Sequence, residues 1–545
     1  MNTRLLHILP VMFAANIALA QQAQQPEAVT LFASPEKPEI MKAPSYRIPA
    51  IAQCADGSLV AVGDYRYQLS DIGVGDGNTL SQIELHYRRS TDGGTTWSDE
   101  KLLCKRNDTD PADWRWAMGD ASIVADRETG EVLLLCPCGS TAMWHSTAEK
   151  PIRMARFRSH DYGQTWDDGE EITSYIYGLY GGDATAIFIT SGSLCMSRQI
   201  KVSGGYHRIY AAHPIRTKSR GNSTSVIYSD DFGDTWHILG PVDQFPTNTV
   251  YEEGKVEEMP DGSVVLMVRN DAGARDVALG KKNFNVFTYT DIEKGEGYWS
   301  EAVSGITGMA GACNNALKLV PAIRQSDGKP THVAIVPLPF HTQFARDVEN
   351  NYGRKSVGFY YKEISSPADF ASGEALANGW KRGYQVTDRC SAYTDLCLMS
   401  DGQIALFMED NGKQGTGADG NNETEAYDLV FRRLSLALIT NGEYISSPTA
   451  QHPSPTAHHP VPSLPERIPS AHHHPVPSLP ERIPSAHHHP VPSLPERILS
   501  AHHHPVPSLP ERIPSAHHHP VPSLPERIPS AHHHPSSPII KHPSS

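Results

Sequence analysis

The chain has 545 residues, with 61 acidic and 47 basic side chains and a formal net charge of -14. That balance argues against a nucleic-acid partner, although a local cluster of arginines on an acidic protein can still attract a small anion. The length exceeds one average domain, but all-β barrels and propellers often run long as single units.

Residues 1–20 read as an export signal. Arg4 supplies a positive start, Leu5 to Ala18 is mostly apolar, and Ala18-Leu19-Ala20 is a small-residue cleavage site before Gln21. The expectation is a cleaved leader and a secreted, periplasmic or cell-surface protein; an uncleaved anchor is the alternative. Residues 21–40 follow as a lead segment. No later stretch is long and apolar enough to cross a bilayer. The eight cysteines include no C-x-x-C pair, and Cys136 and Cys138 are only two apart. This argues against a disulfide framework and against a thiolate zinc site.

From about residue 41 to residue 445 the chain alternates short apolar runs with Gly, Asp, Asn and Pro. SLVAVGDYR, EVLLLCPC, TAIFIT, SVVLMVRN, HVAIVPLP, SVGFYYKEI and QIALFMED read as strands. Asp56-Gly57, Asp261-Gly262 and Asp401-Gly402 read as tight hairpin turns. Long periodic helical segments are missing. The expected fold class is all-β: a sandwich, a barrel or a propeller.

One spelling recurs. STDGGTTW starts at Ser90, SHDYGQTW at Ser159 and SDDFGDTW at Ser229, so that Asp92, Asp161 and Asp231 stand 69 and 70 residues apart. TDIEKGEGYW is a weaker copy, with Asp291 sixty residues on. An interval of about 70 residues fits one four-stranded propeller blade with its loops, and about 400 residues then hold about six. Within each box the Asp can bond nearby backbone amides, and the central Gly can take a positive φ. The Trp is expected to pack under the turn. The box therefore reads as a hairpin stabiliser.

Residues 446–545 differ. The unit AHHHPVPSLPERIPS repeats, with triple histidines starting at His472, His487, His502, His517 and His532. Proline is too dense for helix or sheet, and few large apolar residues are available to bury. The expectation is an extended, disordered tail. It is read as a spacer or, alternatively, as a contact to metal ions or to a surface through its imidazoles.

The three boxes resemble the Asp-boxes of sialidases, and SYRIP at Ser45 to Pro49 resembles that family's F/Y-R-I-P motif. The resemblance covers roughly residues 40 to 440. It implies a six-bladed β-propeller with its site at the centre of one face. It also implies residues. The sugar's carboxylate calls for fixed, planar, bidentate positive charge, which is arginine chemistry. Arg47 in YRIP matches the family's first arginine and Arg269 in SVVLMVRND its second. Arg354, in NYGRKSVGFYYKEI, matches the third, with Arg346 as its alternative.

A carboxylate nucleophile would be repelled by an anionic sugar, whereas a neutral phenol with a base beside it is not. Tyr393 resembles the family's nucleophilic tyrosine. Glu253, sixteen residues before Arg269, resembles its base, and Glu252 is the neighbour that a strand would point the other way. Asp71 matches the family's acid, 24 residues after Arg47, with Asp76 as a loop alternative. Desolvation under a closing loop could raise the pKa of such an Asp. Arg66 resembles an arginine that some family members place near the sugar's C4 side and carboxylate, and Asp120 a family Asp near the 4-hydroxyl and acetamido group. Trp116 or Met143 could pack on the acetyl methyl, or belong to the core.

The resemblance implies an exo-α-sialidase releasing terminal sialic acid from glycoproteins, glycolipids or oligosaccharides with retention, without cofactor or metal. A trans-sialidase, an intramolecular trans-sialidase and a non-catalytic sialic-acid-binding propeller are the alternatives.

Overall fold

A computed structural model describes residues 27–36, 45–67, 71–74, 80–202, 205–247, 253–270, 281–306, 313–340, 354–416 and 422–448. The leader (residues 1–20), almost all of the repeat tail, Asp76, Glu252 and Arg346 lie outside the described residues.

Nearly all regular structure is antiparallel strand, and the described helices are short, such as Thr173–Gly178 and Gly373–Ala377. The strands fall into consecutive up-and-down groups. The first is Ser45–Gln53, Leu59–Arg66, Ile83–Ser90 and Lys101–Leu102. The second is Ser122–Ala125, Val132–Cys138, Arg153–Ser159 and Glu170–Glu171, and Gly192–Ser193 joins its inner edge in parallel. The third is built on the hairpin Ile209–Thr217 and Gly221–Ser229. The fourth contains Gly254–Glu258, Val264–Asn270 and Lys281–Asp291. The fifth contains Lys318–Arg324, Pro330–Pro339 and Val357–Ile364. The last contains Thr394–Leu398, Ile404–Thr416 and Asn422–Leu434.

Two strands close the structure on itself. Ala28–Phe32 pairs with Asn422–Leu434, and Tyr444–Ser446 pairs with Lys318–Arg324. The stretch read as a lead segment therefore supplies an edge strand, and the folded part extends slightly past residue 445. Each partner lies far away in the chain, so no local hairpin signal marks either strand. Tyr46 also faces Tyr427, which joins the first and last groups into one eight-stranded sheet.

The apolar core lies between neighbouring groups. Val60 and Val62 meet Leu134 and Phe157, whereas Leu133 and Leu135 meet Ile209 and Ile227 on the other side. Leu133, Leu134 and Leu135 thus bury on alternate faces, because successive strand residues point opposite ways. A strand buried on both faces reads as a continuous apolar run, as EVLLLCPC does.

The eight-residue boxes form one turn three times. Ser90 Oγ donates to Asp92 Oδ1 at 2.8 Å and accepts from the Gly94 amide at 2.9 Å, while Asp92 accepts from the Thr96 amide at 2.9 Å and hydroxyl at 2.6 Å. Asp161 and Asp231 repeat the pattern with Thr165 and Thr235. The central glycines have φ of 90°, 76° and 84°. A Cβ on each would collide with the preceding group: Gly94 with Phe431, Gly163 with Val60, and Gly233 with Leu133 at 2.6 Å. Tyr162 and Phe232, just before the glycine, also have positive φ. The hydrogen bonds from Thr96 and Ser90 hold the Asp92 carboxyl down at about 2. Asp291 in the weaker copy accepts from the Lys294 amide at 3.2 Å, and Trp299 packs on Phe287.

All eight cysteines are free thiols.

Candidate active site

In an up-and-down group, the start of the first strand, the end of the second and the start of the third share one end of the sheet. Arg47 opens a first strand; Arg66 and Arg269 close second strands; Arg354 precedes a third; Glu253 and Tyr393 each precede a first. The boxes follow third strands, at the other end. Chain topology alone therefore gathers the candidate side chains and separates them from the turns.

Tyr393 lies at the middle of the cluster. Its hydroxyl donates within 3.0 Å of both Glu253 oxygens and accepts from Arg269 Nη1 at 3.1 Å. Arg269 Nη1 also donates to Glu253 Oε2 at 2.7 Å. The guanidinium carbons of Arg47 and Arg354 lie 5.5 Å and 5.4 Å from the Tyr393 ring centroid. Burial and the Glu253 charge push the phenol well above its ordinary pKa, with Arg269, Arg354 and Arg47 pulling the other way. The resting phenol is neutral. The constellation can hold an anion against guanidinium groups beside an uncharged hydroxyl that has a carboxylate to take its proton.

Arg47 is itself buried and oriented. Its Nε donates to Glu409 Oε1 at 2.6 Å, and its guanidinium also lies 5.3 Å from the Tyr427 ring centroid. Glu409 further accepts from the amides of Ile48 at 3.0 Å and Tyr393 at 3.1 Å. Burial would raise the Glu409 carboxyl, but the Arg47 charge and these hydrogen bonds outweigh it and hold the pKa below the usual range. One carboxylate thus sets the first arginine and the tyrosine backbone together.

A second cluster surrounds Arg66. Its guanidinium donates to Asp64 Oδ2 at 2.9 Å and to Asp71 Oδ1 at 2.6 Å, and lies 3.9 Å from Asp120 Oδ1. Asp64 is fully buried, and burial lifts its carboxyl to about 6 against the pull of Arg66. Asp64 Oδ1 accepts from the Asp120 amide at 2.9 Å, holding a residue whose φ is +53°. Burial and the Asp64 charge raise Asp120 well above the carboxylate range. Asp71 behaves oppositely: its side chain is 59% exposed, and Arg66, Arg47 and Arg354 outweigh desolvation to lower its pKa. Its turn is anchored by buried Ile72, which packs with Trp116, Ile83 and Ala117. A Cβ at Gly73 would collide with Ala142 and Thr141.

The structure thus brings Arg47, Arg269, Arg354, Glu253 and Tyr393 into one cluster and Arg66, Asp71 and Asp120 into another. Asp71 is within electrostatic reach of Arg47 and Arg354, and Asp120 of Glu253. Trp116 packs beneath the Asp71 turn, whereas Met143 packs with Ile152 and Ala186. Glu409, Asp64 and Tyr427 were not singled out in the sequence. An acidic residue ending an apolar strand, as in LFMED and VGDYR, is the one signal that could have found the first two. Among the described residues, no group of three or more His, Cys, Asp or Glu side chains could hold a metal ion.

No family model matches the chain. It is similar to a curated sialidase of Paraclostridium sordellii, at 26% identity over 442 residues, covering 78% of this chain and 92% of the relative. It is also similar to a sialidase of Clostridium perfringens, at 27% identity over 264 residues, covering 46% of this chain and 61% of the relative. Among solved structures, the fold is similar to that of a leech intramolecular trans-sialidase, with a TM-score of 0.54 at 16% identity, covering 77% of this chain and 71% of that one. These curated relatives, at 26–29% identity, are all sialidases, and the likeness supports placing the chain with the sialidases among glycoside hydrolases.

Proposed function

We propose that the protein is an exo-α-sialidase that hydrolyses terminal α-linked sialic acid from glycoconjugates with retention of configuration. The observation that carries this reading is the Tyr393 hydroxyl, 3.0 Å from both oxygens of Glu253, with three arginines around the same ring. Arg47, Arg269 and Arg354 take the sugar's carboxylate. Tyr393 attacks the anomeric carbon as its proton passes to Glu253, and Asp71 protonates the departing oxygen. Water, activated by Asp71, then displaces the tyrosine. Two inversions give retention. Arg66 lies toward the sugar's C4 side and carboxylate, and Asp120 toward its 4-hydroxyl and acetamido group.

The lowered pKa of resting Asp71 fits this scheme through the substrate. Arg47 and Arg354 help keep Asp71 ionised. A substrate carboxylate bound to those arginines offsets their charge and adds a negative one, so that Asp71 gains a proton as the sugar enters.

In the same reading, the consecutive strand groups are the blades of a six-bladed propeller, residues 1–20 are a removed export signal, and the repeat tail is a spacer outside the catalytic unit. Mass spectrometry of the exported protein should give a chain beginning at Gln21.

Proton NMR of 3′-sialyllactose turnover tests the activity. The α-anomer of free sialic acid should appear first and then mutarotate. First release of the β-anomer overturns retention, a 2,7-anhydro product overturns hydrolysis, and an intact substrate overturns catalysis altogether.

A further inference from the structure

Glu253 and Tyr393 each have an ionisable neighbour two positions further along, Lys255 and Asp395. In extended chain, residues i and i+2 share a face about 7 Å apart. Lys255 and Asp395 are both buried, and the catalytic scheme uses neither. Lys255 Nζ donates to the Ser191 carbonyl. Asp395 accepts from Ser193 Oγ at 2.9 Å and from the Ile51 amide at 2.9 Å. Asn314 Nδ2 donates to the same Ser191 carbonyl at 3.0 Å. Gly192 passes between the two charges with φ of 97°; a Cβ there would collide with Lys255 Nζ and lie 3.1 Å from Asp395 Oδ1. The segment 191–193, held in parallel by Ser122 and Ile123, therefore ties the strand of Glu253 to the strand of Tyr393.

We propose that Lys255 is a positioning residue for the Tyr393–Glu253 pair, forming with Asp395 a lower rung that fixes the spacing of the two strands and sets a positive charge beneath the base. The inference rests on the assignment of Tyr393 as nucleophile and Glu253 as base. A buried ammonium is a costly way to join strands, since apolar residues of similar volume often do so at lower cost, which points to use of the charge itself.

The groups that face Lys255 are Asp395 on Thr394–Leu398, Lys318 on Lys318–Arg324 and Glu253 beside its own strand, with burial pushing the ammonium down to about 8. Segment 191–193 brings no titratable group. Glu253 in turn faces Tyr393, Arg269 and Asp120. Below about pH 8 Lys255 is an ammonium; above it the ammonium discharges and the charge under the base is lost.

The experiment is the pH dependence of kcat and KM on an aryl sialoside for the wild type, Lys255→Met, Lys255→Arg and Asp395→Asn, each checked for native melting. Expected for Lys255→Met is a kcat about tenfold lower with little change in KM. Wild-type kcat should fall through about pH 8, the Met variant should lack that step, and the Arg variant should recover kcat and move the step upward. A Met variant with wild-type kcat, or one that keeps the alkaline step, overturns the proposal. If the Met variant does not fold, the wild-type profile still decides, because a kcat flat through that range leaves Lys255 no charged role. A wild type that releases no sialic acid counts instead against the assigned activity.

Discussion

The Tyr393 hydroxyl lies 3.0 Å from each carboxylate oxygen of Glu253, across 140 residues of sequence. That bifurcated approach leaves the proton free to go to either oxygen and leaves the phenol lone pair to Arg269 and the reacting carbon. Tyr393→Phe should lower kcat/KM for an aryl sialoside by about a thousandfold, and Glu253→Gln by a similar factor, without loss of native melting. Full activity in Tyr393→Phe would exclude the nucleophile.

Asp71→Ala should separate substrates by leaving group. A phenolate departs without protonation, whereas a sugar alkoxide needs an acid. Loss on 3′-sialyllactose should therefore exceed loss on an aryl sialoside by about a hundredfold. On 3′-sialyllactose, the wild-type limb that reports the acid, separate from the step near pH 8 ascribed to Lys255, should lie at higher pH in kcat than in kcat/KM, because the bound carboxylate raises a pKa that arginines depress in the free enzyme. Coincident limbs would rule out that coupling.

The third arginine has its own test. Arg354 lies over the Tyr393 ring, while Arg346 is outside the described residues. Arg354→Ala should raise KM at least about tenfold, since it removes a charge-assisted bond to the carboxylate, and Arg346→Ala should change it little. The reverse pattern would move the assignment to Arg346.

Glu409→Gln addresses the buried pair with Arg47, whose side chains are 0% and 4% exposed. Removing the charge from one partner should cost about 3 kcal/mol at pH 7, read by urea denaturation. The folded pKa of Glu409 is depressed, so its contribution is full above the ordinary carboxylate range and is lost as pH falls toward the folded value. The gap between wild type and Glu409→Gln should therefore narrow in acid. A gap that widens would contradict the pairing.

Gly233→Ala probes the turns. The new Cβ meets Leu133 of the preceding strand group at 2.6 Å, and φ is 84°. A loss of about 1–3 kcal/mol in stability, with kcat of the folded enzyme unchanged, is expected. A drop in kcat at full stability would mean that the turn serves the site.

What could be read along the chain was whatever is local. The S-x-D-x-G-x-T-W turns close within eight residues, so their spelling carries their geometry. The apolar runs bury on both faces, so their composition marks them as strands. Arg47, Arg269, Glu253 and Tyr393 could be picked out as candidates through resemblance to a family, because each stands in a recognisable local sequence context, and the fold brings them together. Tertiary structure decided the rest. Arg47 and its carboxylate Glu409 stand 362 residues apart, and the strand Ala28–Phe32 finds its partner at Asn422–Leu434. The rung of Lys255 and Asp395 exists only because a glycine from a third segment passes between them. Burial and neighbouring charge set the ionisation of Asp71, Asp64 and Glu409. Those are properties of which groups the closed fold brings within a few ångströms, and no short stretch of sequence encodes them.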